Sequence, residues 1–205
     1  VRQAGLIPLA WIAIHCDDPI AEAEVAMKSL RLGYAGVVFD VTDRACGRAL
    51  GAAALGQRVA ELGIELTKLY YTSFPNIWQH PDVPYQEMNA FCRGGFMPHC
   101  YPIVQRTCRT VIHKWAYGEH ARWSEEWGDM PPLYPVLAAC REEQATESLS
   151  AQEFLEWAQA LAEHDPPFFS VYHAEITGRE LWPILAALGE SPAAPAPPLP
   201  TSGVA

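Results

Sequence analysis

Two carboxylates, Asp40 and Asp43, follow an apolar run in the sequence GVVFDVTD, which spans residues 36–43. A run of Val and Phe bounded by glycine is typical of a parallel strand that is buried on both faces. In parallel α/β folds, ligands bind at the carboxyl ends of the strands. Asp40 is therefore a candidate for a chemical role, provided that other strands bring reactive groups to the same edge.

Each of the other predicted strands also ends in polar or ionisable side chains. These ends carry His15, Asp17 and Asp18; Tyr71, Thr72 and Ser73; His99 and Tyr101; Arg141, Glu142 and Glu143; and Tyr172, His173 and Glu175. Side chains alternate between the two faces of a strand, so Asp40 shares a face with Val38 and Thr42. A carboxylate that faced the helices would be buried without a partner. We therefore expect Asp40 to point to the opposite face of the sheet, where it and the polar groups at the other strand ends would surround one opening.

The elements that position these groups alternate along the chain. Apolar runs predict six strands, over residues 6–14, 34–41, 64–74, 94–103, 133–140 and 167–173. Asp18 and Pro19 mark the start of the first helix, and Gly63 ends the second. We expect a short helix at Tyr85–Phe91 and a broken helix with a loop over 106–129.

Two capping boxes are predicted late in the chain, where a hydroxyl residue precedes a glutamate by three positions. They are Ser150 with Glu153 and Thr177 with Glu180.

Six strand–helix units in succession predict an α/β fold with a parallel sheet, specifically a parallel β/α barrel of the TIM type. An eight-unit barrel needs about 250 residues, so the 205-residue chain is predicted to hold the last six units. The first two strands would lie upstream of Val1 or come from another chain. Residues 1–190 form the predicted barrel domain, and 191–205 a Pro/Ala-rich linker. A doubly wound open sheet is the alternative, although no G-x-G-x-x-G or P-loop follows a strand.

Composition excludes several classes of protein. The chain is 50% apolar and carries 14 Lys and Arg against 24 Asp and Glu, a formal net charge of −10 without a basic stripe. Nucleic acid is therefore not an expected partner of this acidic protein. The sequence contains no run of about 18 apolar residues, so no membrane span is predicted. Six cysteines without a C-x-x-C spacing indicate free thiols rather than a metal or redox motif, although disulfides remain an alternative.

The segments FDVTD (39–43), YYTSFPNIW (70–78) and FFSVYHAEI (168–176) resemble the C-terminal part of glycoside hydrolase barrels. The similarity is greatest to the lysozyme-like family twenty-five barrels and related glycoside-hydrolase-like domains, and it covers residues 5–188. In that family an Asp-x-Glu pair hydrolyses the glycan in an aromatic-lined groove. Asp40 matches the Asp, whereas Thr42 stands at the Glu position and Asp43 follows it.

The resemblance implies a polysaccharide as ligand, and with it an extracellular or cell-surface location. Hydrolysis needs two carboxyl groups roughly 5 to 9.5 Å apart, so Asp40 would act with a second acid. The candidate catalytic residues are Asp40, Asp17, Asp43, Glu142 and Glu175. The candidate substrate-binding residues are His15, Tyr71, Trp78, His99, Tyr101, Tyr172 and His173.

Other interpretations compete with hydrolysis. Asp17, Asp18 and Asp43 could cap helices, and Glu142 could lie in a solvated loop. Thr42 favours a non-catalytic glycan-binding or assembly module on a degenerate barrel. A metal-dependent hydrolase is a third hypothesis, because His15-x-Asp17, His99 and His173-x-Glu175 supply ligand types at strand ends. No cofactor is predicted.

Overall fold

The computed structural model describes residues 7–102, 106–141, 144–172 and 177–189. Six parallel strands form one curled sheet, a half-barrel with helices between the strands. The strands are β1 (Leu9–Ala13), β2 (Gly36–Asp40), β3 (Leu69–Ser73), β4 (Gly95–Cys100), β5 (Val136–Ala138) and β8 (Ser170–Tyr172), in that spatial order. The predictions of an α/β fold and of a parallel sheet are confirmed.

Within the described ranges, six α-helices connect or follow the strands. They are α1 (Pro19–Arg31), α2 (Ala49–Glu61), α3 (Tyr85–Phe91), α4 (Glu119–Trp127), α5 (Ala151–Ala162) and α6 (Trp182–Gly189). Helix α1 begins as predicted, because the Asp18 carboxylate accepts a hydrogen bond of 3.1 Å from the backbone N–H of Ala21. The capping box of Ser150 and Glu153 at the start of α5 is also confirmed. The prediction of a second capping box, formed by Thr177 and Glu180, is wrong. The 3-10 helix Arg179–Leu181 begins after Gly178 and has no side-chain cap.

Two stretches differ from the predicted elements. Residues Leu66–Lys68, expected within a strand, form a 3-10 turn that Glu65 stabilises through contacts with Thr67 and Lys68. The expected break within 106–129 is absent from the described part of that stretch, because a π-helical segment, Thr110–Gly118, runs directly into α4. Gly118 keeps helical backbone angles (φ −65°, ψ −44°), so it does not interrupt the helix.

An antiparallel hairpin that the sequence patterns do not predict follows β5. Strands β6 (Cys140–Arg141) and β7 (Gln144–Ser148) pair with each other after β5. Glu142, a candidate catalytic residue at the end of the fifth predicted strand, lies outside the described residues. The predicted linker at 191–205 also lies outside them.

The two faces of the sheet have different environments. On the outer face, strand residues such as Val37, Phe39 and Phe96 pack against the helices in one large apolar core. On the inner face, a smaller apolar cluster is built around Val38, Met97 and Val136, with partly buried Leu9, Tyr70, Tyr134 and Phe168 against it. Asp40 lies two residues after Val38 and therefore belongs to the inner face, the side that strand alternation predicts.

The described residues contain no helix of sufficient length and apolarity to cross a membrane. All six cysteines are free thiols: Cys16, Cys92, Cys100 and Cys140 are buried, and Cys46 and Cys108 are partly buried.

Candidate functional site

A cavity of about 470 Å³ opens on the inner face of the sheet, towards the carboxyl ends of the strands. We call it the inner-face cavity. Its walls are formed by Trp11, Asp40, Thr42, Asp43, Phe74, His99, Tyr101, Ala138, Cys140 and Tyr172. Its size falls within the range of small-molecule binding sites, and it combines aromatic walls with a few polar groups.

Four rings in this cavity form a nearly parallel row, which we call the ring row. Trp11 and His99 stack with centroids 6.2 Å apart and an interplanar angle of 8°. His99 stacks on Tyr101 at 4.7 Å and 11°, and Tyr101 on Tyr172 at 5.6 Å and 22°. Because β1, β4 and β8 each supply part of the row, the curl of the sheet holds these rings together. The two end members of the row, Trp11 and Tyr172, remain partly exposed (43% and 42%) and are the rings most accessible to a ligand.

Asp40 ends β2 beside this row. Its Oδ2 accepts a hydrogen bond of 3.2 Å from the indole N–H of Trp11. Its Oδ1 is buried and has no hydrogen-bond partner among the described residues. A buried polar atom without a partner costs about 1–3 kcal/mol, so a ligand that donates a hydrogen bond to Oδ1 would recover this energy.

His99 carries a second such atom. Its Nε2 is buried and also lacks a partner within the described part of the chain. Burial lowers the pKa of His99 to about 4, although the nearby charge of Asp40 acts in the opposite direction. At neutral pH His99 is therefore uncharged, and its ring can stack and can form hydrogen bonds without adding charge to the cavity.

The backbone fixes Asp40 and His99 relative to each other. Asp40 is in register with Thr72 on β3, and Thr72 is in register with Met97 on β4. The buried hydroxyl of Thr72 donates a hydrogen bond of 2.5 Å to the carbonyl oxygen of Met97. This bond reinforces the pairing of β3 with β4 two residues before His99. Asp40 Oδ1 and His99 Nε2 are therefore held by a rigid part of the sheet.

Asp43 is the second carboxylate that lines the inner-face cavity. It begins the 3-10 turn Asp43–Ala45 and is exposed, whereas Asp40 is partly buried. Thr42 lies between them and also lines the cavity. Two carboxyl groups that differ in exposure therefore line the same cavity.

The structure places the candidates of the first loop outside this cavity. Asp17 is exposed and forms an ion pair with Arg48. His15 Nε2 lies 3.2 Å from a guanidinium nitrogen of Arg44. Neither side chain lines the inner-face cavity.

Tyr71 and Trp78 are also separated from the ring row. Tyr71 is fully buried on the outer face, and its hydroxyl donates a hydrogen bond of 2.7 Å to Asn89 Oδ1. Trp78 lines a different cavity on the neighbouring loop. Glu142, His173 and Glu175 lie outside the described residues.

The structure gives no support to the metal hypothesis within the described ranges. There, no group of three or more His, Cys, Asp or Glu side chains is arranged to hold a metal ion.

Trp11 and Phe74 also form walls of the cavity, although neither is among the candidates predicted from the sequence. Trp11 lies inside the apolar run 6–14 that predicts β1, where an aromatic residue is typical of the strand itself. Its position two residues after Leu9 places it on the inner face, and this alternation was the available signal.

No protein-family model fits the sequence, and no curated protein is significantly similar to it. The function is therefore inferred from the geometry of the inner-face cavity.

Proposed function

We propose that this chain is a glycoside hydrolase-like domain that binds a polysaccharide in the inner-face cavity and cleaves it with Asp40 and Asp43. The observation that carries the proposal is the combination of two carboxylates with the ring row in a single cavity. As part of the same proposal, the half-barrel represents six units of an eight-unit TIM barrel.

The ring row supports a sugar ligand. The C–H face of a sugar ring is apolar and packs well against aromatic side chains, while its hydroxyls need hydrogen-bond partners. Asp40 Oδ1 and His99 Nε2 are buried atoms of the cavity residues without partners among the described residues. A bound sugar hydroxyl would satisfy either atom.

The difference in exposure between the two acids suggests their roles. Asp40 is partly buried beside Trp11, so it is the better placed group to protonate the oxygen of the leaving sugar. Asp43 is exposed and would act on the anomeric carbon, either as nucleophile or through an activated water.

Binding without cleavage is the second candidate function. Thr42 lies where the resemblance expects the partner acid, and the indole N–H of Trp11 already occupies Oδ2 of Asp40. In this case the cavity would retain its ring row and its affinity, and Asp40 would serve only as a hydrogen-bond acceptor.

The two functions separate in one experiment on cell-wall glycan fragments, in which the release of reducing ends and the affinity are measured together. If hydrolysis is correct, Asp40→Asn and Asp43→Asn each lower turnover by about 10³-fold or more, while the affinity changes little. Asp17→Asn, which alters a carboxylate outside the cavity, is the matched control and should keep full turnover.

The remaining outcomes decide against one or both functions. Binding without reducing ends in the wild-type protein would establish the second function and reject the first. Full activity of Asp40→Asn would reject its role in cleavage. No binding of any glycan would reject both.

The open edges of the half-barrel suggest a further partner. Strands β1 and β8 each pair with one strand only in the described sheet. We propose that two more strands, from an upstream segment or from another chain, complete the barrel, because unpaired parallel edges favour association. Light scattering on the isolated chain tests this, and a stable monomer with both edges exposed to hydrogen exchange would contradict it.

A further inference from the structure

A second cavity, of about 620 Å³, lies next to the inner-face cavity. We call it the tryptophan cavity. The same two loops build both cavities: after β3, Phe74 lines the first and Trp78 the second, and after β2, Asp43 lines the first and Gly47 the second. The two cavities are therefore lined by successive parts of the same two loops.

The aromatic walls of the tryptophan cavity are held in place by buried contacts. Trp123 and Trp127 stack with centroids 4.3 Å apart. The indole N–H of Trp123 donates a hydrogen bond of 2.8 Å to Glu119, which is buried, and Tyr85 packs against Trp127 at 6.5 Å. Trp78 is different, because half of its surface (50%) is exposed. It is the ring in this cavity with most area left for a ligand.

Polar groups accompany these rings. Asp82 and Glu87 line the cavity, and neither forms a side-chain hydrogen bond or an ion pair within the described part of the chain. Carboxylates accept hydrogen bonds from hydroxyl groups, so these two acids complement an exposed indole in the way a sugar ring requires. Arg122 also lines the cavity, but its guanidinium is placed over the Trp123 ring, 4.9 Å from the centroid.

We propose that the tryptophan cavity binds additional sugar units of the same glycan, so that the natural ligand is a linear oligosaccharide that spans both cavities. This inference rests on the proposed function, since it assumes that the inner-face cavity holds the first units. It adds a length requirement: Trp78 contributes to the binding of long oligomers and not to the binding of short ones.

The experiment compares dissociation constants for two-unit and six-unit oligomers in two linear series, β-1,4-linked glucose and β-1,4-linked N-acetylglucosamine. In the series that binds, Trp78→Ala should weaken the six-unit oligomer about tenfold and change the two-unit oligomer less than twofold. Tyr172→Ala, in the ring row, should weaken both lengths. Trp182→Ala is the matched control, because Trp182 has the same size and similar exposure (49%) but lines neither cavity.

Each other outcome overturns the inference in a recognisable way. Equal affinities of wild type and Trp78→Ala for the six-unit oligomer would show that the tryptophan cavity is not a sugar site. Equal losses for both lengths would show that Trp78 belongs to the first site. If the wild-type protein binds neither series, β-1,4-linked glucose and N-acetylglucosamine are rejected as ligands of both cavities. If only Trp78→Ala behaves like the wild type, the tryptophan cavity is rejected as a sugar site and the proposed function of the inner-face cavity stands.

Discussion

Replacement of His99 by phenylalanine should make the stability of the protein less dependent on pH. Burial lowers the pKa of His99 to about 4 in the folded state, from an ordinary value of 6.5. The unfolded chain therefore takes up a proton at higher pH than the folded protein does. The contribution of neutral His99 to the free energy of unfolding is fully present above pH 6.5, and it is lost as the pH falls from 6.5 towards 4.

The magnitude follows from the shift. A difference of one unit in pKa corresponds to about 1.4 kcal/mol, so the shift in the pKa of His99 from 6.5 to about 4 is equivalent to about 3 kcal/mol of stability. Most of this loss of stability has occurred at pH 4.5. Because the ring is partly exposed to solvent, we reduce the expected loss at that pH to about 2 kcal/mol. His99→Phe keeps the stacking on Trp11 and Tyr101 and removes both the proton site and the unpartnered Nε2.

The assay is urea unfolding of wild type and His99→Phe at pH 7 and pH 4.5. We expect the wild type to lose about 2 kcal/mol more than the variant between these two pH values. Asp40→Asn provides an independent check by NMR titration, because removal of the Asp40 charge should lower the pKa of His99 further. An identical pH dependence of wild type and His99→Phe, or an ordinary pKa near 6.5 for His99, would refute the reasoning.

Two other substitutions test the packing that positions the site. Tyr71→Phe leaves Oδ1 of Asn89 buried without its donor, so it should reduce the free energy of unfolding by about 1–3 kcal/mol while glycan affinity is retained; an equal loss of affinity would place Tyr71 in the site. Gly51→Ala should destabilise the fold by about 2 kcal/mol or more, because a Cβ there would overlap the backbone carbonyl oxygen of Cys16. Leu50→Ala, at an 89% exposed neighbour, is its control in thermal unfolding, and equal melting temperatures of the two variants would contradict this account.

The sheet could be predicted from the sequence because its signals are local. Buried runs such as Gly36–Asp40 have few alternatives to a parallel strand, and Asp18 followed by Pro19 specifies a helix start by backbone chemistry alone. The orientation of Asp40 also follows from a local rule, the alternation of side chains along a strand.

The remaining features depend on contacts between distant parts of the chain. Tyr71 follows the same alternation as Phe39, which assigns it to the outer face, but its partner Asn89 is 18 residues away and has no sequence signal. The ring row requires the relative positions of β1, β4 and β8, which depend on the curl of the sheet. The helical conformation of Gly118 is set by the buried face of its segment and not by the propensity of glycine.

The order of strands in the sheet affects how the protein folds. From β1 to β5, each strand of the main sheet pairs with the strand that precedes or follows it along the chain. Consecutive pairing keeps the sequence separation between paired strands as low as a parallel sheet with helical crossovers allows. During synthesis, β1, β2 and β3 can therefore pair before β8 has left the ribosome, and the carboxylate at the end of β2 is in place before the last ring of the cavity arrives.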